Sequence, residues 1–341
     1  MNICFIMDPW DSINPDVDST LRIIHEAVSR GHRVGIIQPG NLAIRDNATH
    51  AFCKIVQKQD KTSDSISSFY KKVKFKNQRV PVKGFDVIFL RKDPPLDNLM
   101  LNFLDSVKDD TFIVNDIDGL RKANNKVYVT SFDEALDYIP ETHVSKDVDY
   151  LTTVIKESKR DKMILKPLDG FGGAGVIVLE TKAKMSIRSL LEFYTGGDAK
   201  NNYVILQEYI DGADQGDVRV LLLNGEPIGA MKRVPKDGDA RSNVHAGGTA
   251  KKHVLSKIER ELCRSIGQRL VLDGLYFVGL DIINGKLLEV NVLSPGGITR
   301  INKFNKVKLQ KKILDFVELV HLKKENAVNK KRDFRKLIED A

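Results

Sequence analysis

The stretch FVGLDIINGKLLEVNV, residues 277–292, decides how this chain is read. Two apolar strands flank a tip at Ile283-Asn284-Gly285, and Asp281, Glu289 and Asn291 are the polar residues along them, with Lys286 at the tip. A two-residue Asn284-Gly285 turn would set Asp281 opposite Leu288 and leave both faces mixing apolar and charged groups. A three-residue Ile283-Asn284-Gly285 loop, with Gly285 left-handed in a bulge, pairs Ile282 with Lys286 and sorts the side chains. Val278, Leu280, Ile282, Leu288, Val290 and Val292 then share an apolar face with Lys286. Gly279, Asp281, Leu287, Glu289 and Asn291 share the other, so the three-residue loop is predicted. Two carboxylates and an amide oxygen on one pleated surface repel each other without a cation, and oxygen-seeking Mg²⁺ suits the set, with Mn²⁺ as a substitute. The alternative is a solvent-facing edge hairpin, where Lys or Thr would be more usual than this trio.

Upstream, ILKPLDGFGGAGVIVLE (Ile164–Glu180) reads as strand, glycine-rich turn, strand. Gly170, Gly172, Gly173 and Gly175 remove side chains and permit positive φ, so that backbone N–H groups beside Asp169 can close over phosphate oxygens. Lys166 adds a point charge. A β-like run follows instead of a helix, which excludes a dinucleotide-type GxGxxG, and no Lys-Ser/Thr pair closes a Walker loop. Taken alone, the motif is equally a flexible hairpin tip. Gln207, Glu208 and Tyr209 end a strand and can offer backbone groups to an adenine edge. Asp217 follows as a candidate acceptor for ribose hydroxyls and Arg219 as a phosphate or substrate partner, although each singly reads as a surface residue. Arg233 and Arg241 bracket a Gly-containing loop with Asn243 just after it. Two guanidinium groups placed so can neutralise a transferring phosphoryl group, or form an exposed basic loop.

The rest of the chain sets bounds on these readings. Its 341 residues suffice for two or three structural units. Three widely spaced cysteines and seven histidines form no CxxC or zinc pattern. No apolar run approaches the roughly 20 residues of a membrane span, and the opening NICFIMD lacks the features of a signal peptide, so a cytoplasmic protein is expected. The net charge of +8 is spread along the chain without interleaved aromatics, which favours small polyanionic ligands over nucleic acid. Residues 2–7, 33–38, 86–91 and 112–115 read as strands of an open α/β sheet, with a helix from about Ser19, a plausible N-cap, to Arg30 and another after Asp97. Residues 41–84 read as loops and a peripheral hairpin. From Tyr203 onward the strands, including YVILQEYI, read as one largely antiparallel second sheet. The tail beyond residue 320 reads as a solvated helix or frayed end, with a contact surface for a partner or RNA as the alternative.

Taken in order, MDP (Met7–Pro9), LRKDPP (Leu90–Pro95), ILKPLDGFGGAG, DVRVLLLNGEP, the RVP…R.N..AGG loop and FVGLDII…LLEVNVLSP resemble bacterial glutathione synthetase of the ATP-grasp superfamily, over nearly all of residues 1–315. The resemblance implies α/β and α+β architecture: an open α/β pre-ATP-grasp domain (1–121), then an ATP-grasp fold of two α+β subdomains, a lid (122–203) and a C-terminal part with the metal and substrate site (204–320), and a charged tail (321–341). It implies that Lys126 and Lys166 are the ATP-binding lysines, Asp169–Gly175 the phosphate-covering lid, Gln207–Tyr209 the adenine contact and Asp217 the ribose contact. It further implies that Asp281, Glu289 and Asn291 are the Mg²⁺ ligands. Arg91, Arg219, Arg233, Arg241 and Asn243, with Ser294, Gly296 and Gly297, fall near the peptide substrate and phosphoryl group. The implied reaction phosphorylates the cysteinyl carboxylate of γ-glutamylcysteine and joins it to glycine, in a homo-oligomer, tetramer or dimer. Two departures stand out: Glu208 replaces an Asn, and VLSPGGI (Val292–Ile298) replaces a segment with Thr before Ser-Pro and Thr-Cys after it, close to the acceptor amine. Another ATP-grasp ligase with a different acceptor, a non-catalytic nucleotide-binding module and a nucleic-acid-binding protein are the competing readings.

Overall fold

The computed structural model describes residues 1–58, 62–168, 175–182, 187–196, 202–236 and 248–339. The chain forms two compact units, the first from 1–119 and 296–341, the second from 120–295.

In the first unit, β1 (Asn2–Met7), β2 (Arg33–Ile37), β6 (Val87–Arg91) and β7 (Phe112–Val114) are parallel, extended by antiparallel β3 (Leu42–Arg45), β4 (Ala48–Val56) and β5 (Phe75–Pro81). The order is β3-β4-β2-β1-β6-β7, with β5 on β4. Helix α1 (Ser19–Ser29) returns the chain from β1 to β2; Asp18, one residue before the predicted cap, accepts from the Leu21 N–H at 2.6 Å, and Gly31 ends the helix at φ +81°. Helices α2 (Ile66–Lys72), α3 (Asn98–Asp105) and α4 (Ile117–Ala123) follow in order.

Residues 41–84, read as loops and a peripheral hairpin, carry three strands, β3, β4 and β5, and helix α2. Thr49, Ala51, Cys53 and Ile55 of β4 alternate toward the core, but three of the four are small or polar, so the period-2 signal is faint in the sequence. The closing helices α8 (Ile298–Asn305) and α9 (Leu309–Glu339, counted with α7 below) belong to this unit, where the sequence had grouped residues 204–320 together. Leu309, Ile313, Leu314 and Val317 are fully buried, and Arg30 on the α1 side reaches Asp315 at 2.7 Å and Glu318 at 2.8 Å.

In the second unit, β8 (Thr142–Ser145), β9 (Lys162–Pro167), β10 (Ile177–Glu180) and β11 (Val204–Glu208) form an antiparallel sheet in the order β10-β9-β11-β8. Helices α5 (Val148–Glu157) and α6 (Ile187–Thr195) bury Leu151, Ile155 and Leu191 against Met163, Leu165 and Leu206. The strands flanking the glycine-rich turn are hairpin partners, as read. β11, assigned by sequence to the later sheet, pairs instead with β8 and β9; all five of its residues are buried, and nothing in such a strand specifies its neighbours.

The second sheet is β12 (Asp217–Leu223), β13 (Glu226–Val234), β14 (Thr249–Lys252), β15 (Phe277–Ile283) and β16 (Lys286–Asn291), in the order β14-β13-β12-β15-β16. Helix α7 (Lys257–Leu272) starts with a reciprocal Ser256/Glu259 capping box. Two hairpins of this sheet share one construction. Each turns on Asn-Gly with both residues at positive φ, +50° and +80° at Asn224-Gly225 and +46° and +77° at Asn284-Gly285. Each then carries a β-bulge two pairs later, opposing Leu221 to Gly229 and Asp281 to Glu289, with Ile228 and Leu288 as the extra residues.

The predicted three-residue loop is therefore corrected to a two-residue turn plus a bulge. The polar face survives the correction: Asp281 opposes Glu289 and Gly279 opposes Asn291. Leu287 moves to the apolar face opposite Ile282 and is fully buried, Lys286 moves the other way to oppose Ile283 on the Asp281 side, and Leu288, the bulge residue, is half-buried.

Candidate active site

One face of the five-stranded sheet carries a row of charged side chains. Cross-strand pairing puts Arg233 opposite Asp217, Arg219 opposite Asp281, and Asp281 opposite Glu289, and strand alternation points all five to the same side. Asp217, Arg219, Arg233 and Asp281 are each less than 10% exposed. Burial on this scale is tolerable because the charges alternate and are hydrogen-bonded.

Arg219 donates through Nε and Nη2 to the two oxygens of Asp281, at 2.5 and 3.0 Å. Arg233 donates from Nε to Asp217 at 2.6 Å and from Nη2 to the other Asp217 oxygen, and the same Nη2 lies 2.9 Å from Asp281 Oδ2. Gly279 lets the Arg219 side chain lie across it, since a Cβ there would stand 3.2 Å from Arg219 Cδ. Asn291 donates from Nδ2 to Asp281 Oδ2 at 3.1 Å, which ties the third predicted ligand to the first.

The two carboxylates differ in electrostatics. Burial pushes the Asp281 carboxyl up, but Arg219 and Arg233 outweigh it and bring it down to about 2. Glu289 goes the other way: burial and then the Asp281 charge raise it, only partly offset by Lys166, Arg219 and Lys126. A carboxylate strained against its neighbour is a group that a divalent cation relieves, and the donor set of two carboxylates and an amide is oxygen throughout.

Lys166, on β9, is held by Gln207 Oε1 at 3.0 Å, and burial lowers its ammonium to about 8, opposed by Glu289 and assisted by Lys126. Lys126 donates to the Pro167 carbonyl at 2.9 Å, which sets both predicted lysines at the β9 end leading into the glycine-rich turn. Asp273 anchors the turn carrying Lys126 by accepting from Tyr128 Oη at 2.8 Å and Lys122 at 2.7 Å.

Gln207 also donates to Thr142 Oγ1 at 2.8 Å, the buried Glu208 pairs with Arg160, and Tyr209 receives Lys162 over its ring at 5.6 Å. The Glu208 departure thus comes with a local counter-charge. Ser294 follows β16, half-buried. Gly175 has φ +71°. Asp169, Gly170, Gly172, Gly173, Arg241 and Asn243 lie outside the described residues.

Arg91, Gly296 and Gly297 belong to the first unit. Arg91 is buried at the end of β6 and donates to Thr20 Oγ1 at 2.9 Å; burial lowers it to about 10, against the opposing pull of Asp18 and Asp93. The Gly297 and Ile298 N–H groups both donate to Ser19 Oγ at 3.2 Å, next to Thr20 in the chain. A Cβ on Gly296 would meet nothing within 4 Å among the described residues. The sequence reading passed over Gly216 and Arg160; the positive φ of Gly216, +96°, has no local sequence signal beyond its being glycine.

Family models match almost the whole chain: the prokaryotic glutathione synthetase N-terminal domain over residues 1–121 and the prokaryotic glutathione synthetase ATP-grasp domain over 125–306. The chain belongs to the prokaryotic glutathione synthetase family. The glutathione synthetase of Agrobacterium fabrum is 37% identical over 320 residues, covering 93% of this chain and 96% of that one. That of Gloeobacter violaceus is 35% identical over 328 residues, with the same coverage. Among solved structures, D-cycloserine synthetase DcsG aligns with a TM-score of 0.62 at 14% identity, covering 92% of this chain and 99% of that one. The ATP-grasp ligase PsnB with its minimal precursor aligns at 0.59 and 17%, covering 93% and 98%. At such identities these two establish the fold alone, an N-terminal domain joined to an ATP-grasp domain, for this member of the glutathione synthetase family.

Proposed function

We propose that the polar face of the five-stranded sheet is the catalytic centre of ATP-dependent glutathione synthesis, a C–N ligase reaction. The observation that carries the reading is the convergence of Asp281, Glu289 and Asn291 on one face, within electrostatic reach of Lys166, Lys126 and Arg219. The γ-phosphoryl group of ATP passes to the cysteinyl carboxylate of γ-glutamylcysteine, giving an acyl phosphate and ADP. The glycine amine attacks the acyl carbon, phosphate leaves, and the amine gives up a proton.

A divalent cation, Mg²⁺ or alternatively Mn²⁺, when bound by Asp281, Glu289 and Asn291, supplies charge neutralisation for the phosphates. Lys166 and Lys126 hold nucleotide phosphate oxygens, with the glycine-rich segment from Asp169 to Gly175 assigned to the phosphates by family resemblance, and the β11 end at Gln207–Tyr209 receives the adenine. Arg233, with Arg241 and Asn243, stabilises charge on the transferring phosphoryl group. The family resemblance assigns Arg91, Arg219, Ser294, Gly296 and Gly297 to the peptide and the acceptor. Alignment and electrostatics suffice for this chemistry without an enzyme nucleophile. The three described cysteines agree: all are buried, and burial raises each thiol, Cys53 and Cys263 to about 12. A cytoplasmic setting and a dimeric or tetrameric assembly complete the reading; among the described residues, no helix is long and apolar enough to cross a membrane.

Phosphate release tests it, with γ-glutamylcysteine and glycine both present and each omitted in turn. Release that needs both is expected, and release independent of glycine would contradict the reading. Larger amino acids are included as acceptors, because VLSPGGI departs from the family pattern, and a faster rate with one of them would move the assignment to a different acceptor.

A further inference from the structure

We infer that Asp273 is the positioning residue of Lys126, holding the turn that carries this lysine from both of its flanks. The inference rests on the phosphate role proposed for Lys126. Asp273 closes α7, and its carboxylate accepts from three donors. Lys122 Nζ reaches Oδ1 at 2.7 Å, while Tyr128 Oη and Arg269 Nε reach Oδ2 at 2.8 and 3.1 Å. Lys122 precedes Lys126 in the chain and Tyr128 follows it, so one carboxylate ties down both sides of the lysine.

The turn itself, Lys126–Ser131, is a 3₁₀ helix capped by Asn125, whose Oδ1 accepts from the Tyr128 N–H at 3.0 Å. A short 3₁₀ segment has poor hydrogen-bond geometry and depends on outside contacts for its shape. Tyr128 supplies them: its ring is buried edge-on against Phe132 at 5.0 Å, and its hydroxyl meets Asp273. Burial, then the Asp273 hydrogen bond, pushes that phenol well above its ordinary value, so it stays a donor at neutral pH. Burial also pushes the Asp273 carboxyl up, but Lys122, Tyr128 and Arg269 outweigh it and hold it below the ordinary carboxylate value. An ionised aspartate has the wrong sign for the C-terminal end of a helix dipole. The end of α7 alone therefore does not favour Asp273; the donors from the Lys126 stretch do. Lys126 in turn donates to the Pro167 carbonyl at 2.9 Å, and its charge bears on Lys166. Support of this kind fixes where a charged group meets its ligand.

The test compares wild type with Asp273→Asn, Tyr128→Phe, the double variant, Arg269→Gln and Lys126→Met. Calorimetric affinity for ADP and for adenosine, thermal denaturation and amide hydrogen exchange over residues 126–131 are measured on each. Both Asp273 oxygens accept, so an amide there must turn its NH₂ toward one of the donors. Asp273→Asn should weaken ADP binding by about tenfold, the scale of one charge-assisted hydrogen bond, keep adenosine affinity, and speed exchange in the turn. Tyr128→Phe, which keeps the ring, should do the same to a smaller extent, and the double variant should bind ADP as Asp273→Asn does. Arg269→Gln removes the donor that belongs to α7; it should melt lower yet keep wild-type ADP affinity and turn exchange. Equal ADP losses in Arg269→Gln and Asp273→Asn, equal losses for adenosine and ADP, or unchanged turn exchange in Asp273→Asn or Tyr128→Phe would overturn the inference. If Lys126→Met keeps wild-type ADP affinity, the phosphate role of Lys126 fails, while the exchange results still decide whether Asp273 holds the turn.

Discussion

The hairpins β12–β13 and β15–β16 are the same device used twice. Both turn on Asn-Gly, both insert one residue two pairs later, and both thereby bring an aspartate opposite a chosen partner. In the first the partner is Arg233, an opposite charge that also reaches Asp281 at 2.9 Å. In the second it is Glu289, and the like charges stay in conflict, with Asp281 held down to about 2 and Glu289 pushed up. The backbone geometry is common to both, so the identity of one residue separates an ion pair from the proposed cation site.

The largest effect should come from removing the conflict. Glu289→Gln is expected to lower turnover by at least about 10³-fold with a melting temperature equal to or above wild type, because a carboxyl disfavoured by burial and by Asp281 is replaced with a neutral isostere. Near-normal ATP consumption would remove Glu289 from the proposed metal role.

The next contrast lies in the turns. Alanine at Gly225 and at Gly285 both incur about 1–2 kcal/mol for positive φ. At Gly225 the new methyl also meets the Gly267 carbonyl oxygen at 2.8 Å, whereas at Gly285 it meets the Cγ2 methyl of Ile258, an exposed side chain, at 2.8 Å. Urea unfolding should therefore show Gly225→Ala as the costlier by about 1 kcal/mol or more; equal costs would mean that the α7 contact behind Gly225 yields freely.

The smallest effect separates the hairpins by pH. The hairpin β15–β16 faces Lys166, whose ammonium burial lowers to about 8. The ammonium is charged below that value and neutral above it, so affinity for ADP should fall several-fold as pH rises from 7 to 9. Lys166→Arg, charged throughout, should lose that decline. An unchanged profile in the variant would assign the decline elsewhere.

Much of this was legible in the residues and some was not. Asn2–Met7, Arg33–Ile37 and Val87–Arg91 announce themselves as apolar runs. β4 does not, because Thr49 and Cys53 do core duty without looking apolar enough. The shared face of Asp281, Glu289 and Asn291 could be reasoned from amphipathicity, since only one arrangement separated charge from core. The turn that delivers it could not, because a loop of three and a turn of two with a later bulge give nearly the same faces. The grip of Asp217 on Arg233 was hidden for the same reason: it depends on the bulge at Ile228, which leaves no mark in the sequence. The placement of β11 beside β8 is a long-range choice that a wholly buried strand does not encode locally.

A divalent ion seated between Asp281 and Glu289 is read directly by paramagnetic Mn²⁺. In the presence of ADP, bound Mn²⁺ measured by electron paramagnetic resonance should saturate in the wild type and weaken by an order of magnitude or more in Glu289→Gln. Equal Mn²⁺ binding by the two proteins would contradict it.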